Sequence, residues 1–173
     1  GSGFRVVIGE YGSGKTFFLN LVRAIAMEKK LVTMHADLNP DRRLHATGGQ
    51  ARSLYAELAK NLSTRTKPDG GALAGVVEKF IAQAKNEAKA NGSQPEAVIR
   101  KKLEDLAEMV NGYDFAEVIA AYCKGFEDGN DQLKHDAIRW LRGEFSTKTD
   151  ARIALGVRTI VDDATMYDQL KLM

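Results

Sequence analysis

The spacing of apolar positions changes once along this chain. Phe4-Arg5-Val6-Val7-Ile8 is a short β-branched run ending at glycine, which predicts a buried strand, and Leu31-Val32-Thr33-Met34-His35-Ala36-Asp37-Leu38 predicts a second. Between them, Phe17 to Met27 is apolar on most sides, as a helix covered by a sheet would be. Asn39-Pro40-Asp41 supplies a cap and first turn for another helix. Two strands joined by so short a connection are expected to run parallel with a right-handed crossover.

From about Gly49 the period becomes helical and stays so. Ala51, Leu54, Tyr55, Leu58 and Leu62 make one stripe, and Leu73, Val76, Val77, Phe80, Ile81 and Ala84 make the next. Ile99, Leu103, Leu106 and Val110 form a third, opened by Pro95. Phe115, Val118, Ile119, Tyr122 and Phe126 form a fourth, and Leu133, Ala137, Ile138 and Leu141 a fifth, introduced by Asn130. Asp69-Gly70-Gly71, Asn91-Gly92-Ser93 and Asn111-Gly112 separate them. The faces are expected to bury one another, with Trp140 and Cys123 as packing residues.

The glycine-dense segment after the first run carries the chemistry. Gly9-Glu10-Tyr11-Gly12-Ser13-Gly14-Lys15-Thr16 fits G-x-x-x-x-G-K-[ST], the P-loop, with a strand predicted before it and a helix after it. Its glycines let the main chain curl so that N–H groups converge on phosphate oxygens at a helix N-terminus. Lys15 adds a charge for the β- and γ-phosphates, and the Thr16 hydroxyl is placed to ligate Mg²⁺. Glu10, Tyr11 and Ser13 fill variable positions of the loop and receive no catalytic role. The cofactors expected are ATP and Mg²⁺.

The fold class expected is therefore α/β: a P-loop NTPase-type strand, loop and helix with a short parallel sheet and a large helical subdomain, in a truncated nucleotide-binding domain. Residues 1–47 are assigned to a partial α/β core and 48–145 to the helical subdomain. Residues 146–173 are assigned to a connector and the start of a C-terminal helix, with the later strands missing. A second motif, an apolar strand ending in acid, normally holds the magnesium water shell. Its nearest match is Val157-Arg158-Thr159-Ile160-Val161-Asp162-Asp163, in which Arg158 and Thr159 interrupt the apolar run. Asp162 and Asp163 are weak candidates for the magnesium carboxylate; the alternative is helix capping before Ala164 to Leu172.

The 173 residues, 44% hydrophobic and 28% charged, describe an ordinary folded chain rather than a disordered or membrane-embedded one. A formal net charge of +2 names no partner. One cysteine forbids an internal disulfide and suits a cytoplasmic setting, and the start has no signal-peptide pattern. Asp37, placed at the carboxyl end of a predicted strand, is a further site candidate. Arg42 and Arg43 with His45 are candidates to face a phosphate or nucleic acid, and separately Lys101, Lys102, Arg139, Arg142, Arg152 and Arg158 are candidates for a nucleic-acid face or an arginine finger. An ordinary solvated surface is the preferred reading of both sets, and DNA binding is unsupported by their spacing.

The residues resemble a bacterial P-loop domain family of unknown function that includes the ATP-binding protein of BREX phage-exclusion systems. The likeness rests on Gly9 to Leu19, on Ala36-Asp37-Leu38 with Asp41-Arg42-Arg43-Leu44-His45, and on Gly48-Gly49-Gln50-Ala51-Arg52 before Leu54-Tyr55. It continues through Gly70-Gly71-Ala72-Leu73 to Asp162-Asp163. The resemblance implies an ATP-binding protein, an ATPase in its intact form, with magnesium carboxylates on a strand beyond residue 173. Only Gly9 to Thr16 receive a role from it.

The leading expectation is thus a nucleotide-binding module of an ATPase in a phage-defence assembly, inactive alone and working with other protein subunits. A homodimer through an exposed sheet edge or through the helices is a further expectation. The rivals are a small-molecule kinase of the nucleotide type, and a non-enzymatic regulatory or scaffolding domain.

Overall fold

A computed structural model describes residues 3–45, 48–109 and 112–173, with the side chain of Leu106 also outside the description. Its elements are α1 (Lys15–Glu28), α2 (Gln50–Lys60), α3 (Leu73–Asn91), α4 (Pro95–Ala107), α5 (Gly112–Asp128), α6 (Asp131–Leu141), α7 (Lys148–Leu155) and α8 (Met166–Leu172). Among the described residues there is no β-strand and no sheet, so the α/β expectation is corrected to an all-helical fold.

The physical reason lies in backbone hydrogen bonding. A helix satisfies its own N–H and C=O groups, whereas a strand needs a neighbour. Residues 4–8 form no regular element and pair with no strand among the described residues, and Ile8 is 91% exposed. Residues 31–38 make one isolated antiparallel bridge, in which Thr33 and Ser63 exchange N–H···O bonds of 3.0 and 2.8 Å. The parallel right-handed unit and the sheet edge offered for dimerisation are therefore absent among the described residues. The helix expected to start at Asn39 is also absent. Asn39 and Arg42 pair across a tight turn instead, with the Asn39 side chain accepting from the Asp41 N–H at 2.9 Å.

The helices after residue 49 follow the apolar stripes. Ala51, Leu54, Tyr55 and Ala59 face inward from α2, and Leu73, Val77, Ile81, Ala84 and Ala88 from α3. Ile99 and Leu103 of α4 are buried, while the Leu106 side chain and Val110 of that stripe lie outside the described residues. Consecutive helices α3 to α6 pack pairwise, α7 lies on α6, and α8 lies on α2 and α5. Phe126 departs from its stripe at 43% exposure and lies under the Lys85 ammonium, 5.4 Å from the ring centre. The boundary expected at residue 47 falls outside the described residues.

Cys123 and Trp140 both sit in the main core. Burial, with Glu127 adding to it and Lys85 opposing, pushes the Cys123 thiol up to about 11. At pH 8 the folded chain is therefore expected to react with dithionitrobenzoate at least ~100-fold more slowly than the unfolded chain, whose thiol has an ordinary value near 8.5. Comparable rates in native buffer and in guanidinium would show the thiol to be accessible.

Candidate functional site

Residues 9–14 form a tight curl feeding directly into α1. Gly12 and Gly14 hold φ of 80° and 81°, a left-handed conformation that side chains resist. The Ser13 N–H donates to the Glu10 carbonyl at 3.2 Å, and the Phe18 N–H to the Gly14 carbonyl at 2.9 Å. A Cβ at Gly9 would lie 2.5 Å from Ser13 Oγ, so a larger residue there would oblige the Ser13 hydroxyl to turn away. Gly14 is the N-cap of α1 and no side chain caps that end, so the first-turn amides remain donors for an outside acceptor.

The Lys15 ammonium folds back over the curl and donates to the carbonyl oxygens of Gly9 at 2.8 Å and Glu10 at 2.6 Å. Lys15 is half-buried, and Thr16, with the variable residues Glu10, Tyr11 and Ser13, is exposed. An ammonium, helix-terminal amides and a hydroxyl thus share one mouth. That donor set suits a polyphosphate and a magnesium ion.

The loop's surroundings are open. No residue of α1 is buried, and Phe17 is 73% exposed. Arg23 ties this helix to the rest of the molecule, donating to Ser63 Oγ at 3.1 Å and to the Pro68 carbonyl. Sequence reasoning passed over Arg23, because its partners lie 40 and 45 positions away.

The other candidates are dispersed. Asp37, Arg43 and His45 are exposed, and Arg42 pairs with Glu57 of α2 at 3.5 Å. Lys102 pairs with Glu87 at 2.9 Å and Arg139 with Asp136 at 3.2 Å, the latter guanidinium also lying over the Phe145 ring. Arg142 reaches Glu144 at 4.0 Å, while Lys101, Arg152 and Arg158 are exposed on three separate segments.

Asp162 and Asp163 are engaged by main-chain amides. Asp162 Oδ1 accepts from Ala164 N at 3.0 Å and Thr165 N at 2.9 Å, in the turn that leads into α8. Asp163 reaches back across the sequence to the start of α2, accepting from Gly49 N at 2.7 Å and Arg52 N at 2.8 Å. The Arg52 guanidinium in turn donates to the carbonyls of Gly143 at 3.0 Å and Phe145 at 2.9 Å. Tyr55 donates to the Leu141 carbonyl at 2.6 Å, and a Cβ at Gly143, whose φ is 70°, would press on the Tyr55 ring at 3.1 Å. Gly49, Arg52, Tyr55 and Asp163, scattered in sequence, thus meet in one clamp between α2 and the segments that follow α6 and precede α8.

Neither a curated protein nor a solved structure matches the chain. A family model described as BREX system ATP-binding protein BrxC/D matches residues 1–173. That match runs the whole length, the glycine curl before α1 and the α2 clamp included, and on it the chain belongs to the BREX system ATP-binding protein BrxC/D family.

Proposed function

We propose that this chain is the ATP-binding module of a BREX phage-defence assembly, taking the triphosphate on Gly9, Glu10, Tyr11, Gly12, Ser13, Gly14, Lys15 and Thr16. The observation that carries the reading is the Lys15 ammonium resting on the Gly9 and Glu10 carbonyls at the mouth of an uncapped helix. A phosphate entering there exchanges those two neutral acceptors for an anionic one, and charge-assisted hydrogen bonds are the stronger kind. The amides of the curl hold the remaining oxygens. Thr16 would hold Mg²⁺, which would supply positive charge to offset that of the triphosphate.

Binding without turnover is the activity proposed for this chain alone. Asp162 and Asp163, the nearest sequence match to magnesium carboxylates, accept from the amides that start α8 and α2. ATP hydrolysis by the intact protein, and the partner subunits it works on, belong to the same proposal through the family. Among the described residues no helix is long and apolar enough to cross a membrane.

Calorimetric titration of the chain with ATP and Mg²⁺ tests the reading. Lys15→Ala is expected to weaken binding roughly 10- to 100-fold, the worth of one hydrogen bond from a charged group. The parent chain should release no phosphate from ATP. An unchanged affinity in Lys15→Ala would place the nucleotide elsewhere, and transfer of the γ-phosphate to a nucleoside would favour the kinase reading.

A further inference from the structure

Two segments far apart in sequence meet at the Thr33–Ser63 bridge. The first leaves the end of α1 with Lys29 and Lys30, and the second leaves α2 with Lys60 and turns tightly at Arg65 and Thr66 before Lys67. In the turn, Thr64 and Lys67 exchange N–H···O bonds of 3.1 and 3.0 Å. Asn61 Nδ2 also donates to the His35 carbonyl at 3.1 Å, extending the pairing by one step, and Arg23 clasps the turn to α1 through Ser63 and Pro68. Residues 29–35 and 60–67 carry five Lys and Arg, and no Asp or Glu. Since the whole chain is only +2, the remainder is net acidic, with Glu28, Asp37 and Asp69 bounding the two cationic stretches of this seam and Glu57 accepting from Asn61 at 3.1 Å.

Lys29, Lys30, Lys60, Arg65 and Lys67 are exposed, and among the described residues none of the five takes part in an ion pair, unlike Arg42, Lys85, Lys102, Lys134 and Arg139, which pair with carboxylates. Lys30 adds an independent observation. It is the one non-glycine residue with positive φ among those described, at 61°. It sits where the chain leaves α1, its N–H bonded to the Met27 carbonyl and the Leu31 N–H to the Ala26 carbonyl, both at 2.9 Å. Glycine is the residue that this helix-ending geometry favours. A lysine there carries backbone strain, only partly offset by its charge at a helix C-terminus. What it adds over glycine is one more cation on the seam.

We infer that the paired segments 29–35 and 60–67 form a docking surface for the phosphate backbone of a nucleic acid, separate from the nucleotide loop. A 14-residue α1 sets its two ends about 20 Å apart, so the seam and the loop occupy opposite ends of one helix. Exposed Lys and Arg on two paired segments, with the Thr64 and Thr66 hydroxyls in the turn, are donor types that bond phosphate oxygens, contacts that carry no sequence information. Binding is therefore sequence-independent and falls steeply with salt.

Anisotropy of a labelled 30-base-pair DNA of mixed sequence, titrated with the full chain at about 50 mM salt and upward, tests this. The parent binds, and Arg65→Glu/Lys67→Glu weakens binding more than tenfold and lowers the salt slope by about 2. The equal charge change in Lys101→Glu/Lys148→Glu alters affinity less than twofold, and Lys15→Ala leaves it unchanged, which separates this surface from the proposed ATP site. Lys30→Gly is expected to weaken binding a few-fold while raising the melting midpoint, a pairing that a merely structural lysine would not produce. Circular dichroism confirms folding, and Arg65→Gln/Lys67→Gln replaces the reversal if that variant unfolds. No binding by the parent, equal losses in both double variants, loss in Lys15→Ala, or displacement of DNA by an equal concentration of polyglutamate would overturn the inference.

Discussion

Asp163→Ala is expected to lower the unfolding free energy by about 2–3 kcal/mol while leaving the ATP affinity of the folded chain unchanged. The N-cap of α2 is Gly49, which has no side chain to satisfy the first amides of the helix. Asp163 performs that task from 114 residues away, one oxygen on Gly49 N and the other on Arg52 N. Removing it orphans two donors and takes a carboxylate from the positive end of a helix dipole. Asp163→Asn keeps one oxygen and should lose about half as much. Urea titration followed by circular dichroism gives the stability, and calorimetry gives the affinity. Full stability together with loss of magnesium-dependent ATP binding would instead make Asp163 a magnesium ligand.

The clamp marks where sequence reading stops working in this chain. Helices α2 to α6 were legible because each writes its buried face into its own sequence every three or four residues: Leu54 and Tyr55, Val77 and Ile81, Val118 and Tyr122. The turn before α1 was legible for a similar reason, since the glycines of Gly9 to Thr16 are a local pattern, and Gly12 and Gly14 hold the positive φ that only glycine takes readily. Strands are different. Val6, Val7 and Ile8 have the composition of a strand, but composition does not supply the neighbour whose amides a strand must bond. Long-range partners were equally invisible: nothing near Arg23 points to Ser63, and nothing near Arg52 points to Gly143. The resemblance rests in part on Gly49, Arg52 and Tyr55 and extends to Asp163, and these four residues meet in one clamp.

The same distinction governs the segment 157–163, whose apolar run has the look of a strand leading to magnesium carboxylates. Val157, Ile160 and Val161 are buried, yet among the described residues no strand lies beside them; the segment is held by side chains. Asp114 Oδ2, at the start of α5, accepts from Arg158 N at 3.1 Å, Thr159 N at 2.8 Å and the Thr159 hydroxyl at 2.6 Å. From the other side, Trp140 of α6 donates its indole N–H to the Thr159 carbonyl at 2.7 Å. Arg158 and Thr159, which spoil the run as a sheet strand, are thus the residues whose main chain anchors it between two helices. Trp140→Ala should therefore be the most damaging single truncation in this part of the core, because it both opens a cavity and orphans that carbonyl. The expected loss is about 3–5 kcal/mol, against a total of ~5–15 for a typical domain. Trp140→Phe keeps most of the ring and loses mainly the hydrogen bond, for about 1–3 kcal/mol. Urea midpoints of the two variants beside the parent check this, and near-equal losses would show that the indole N–H rather than the ring volume holds the segment in place.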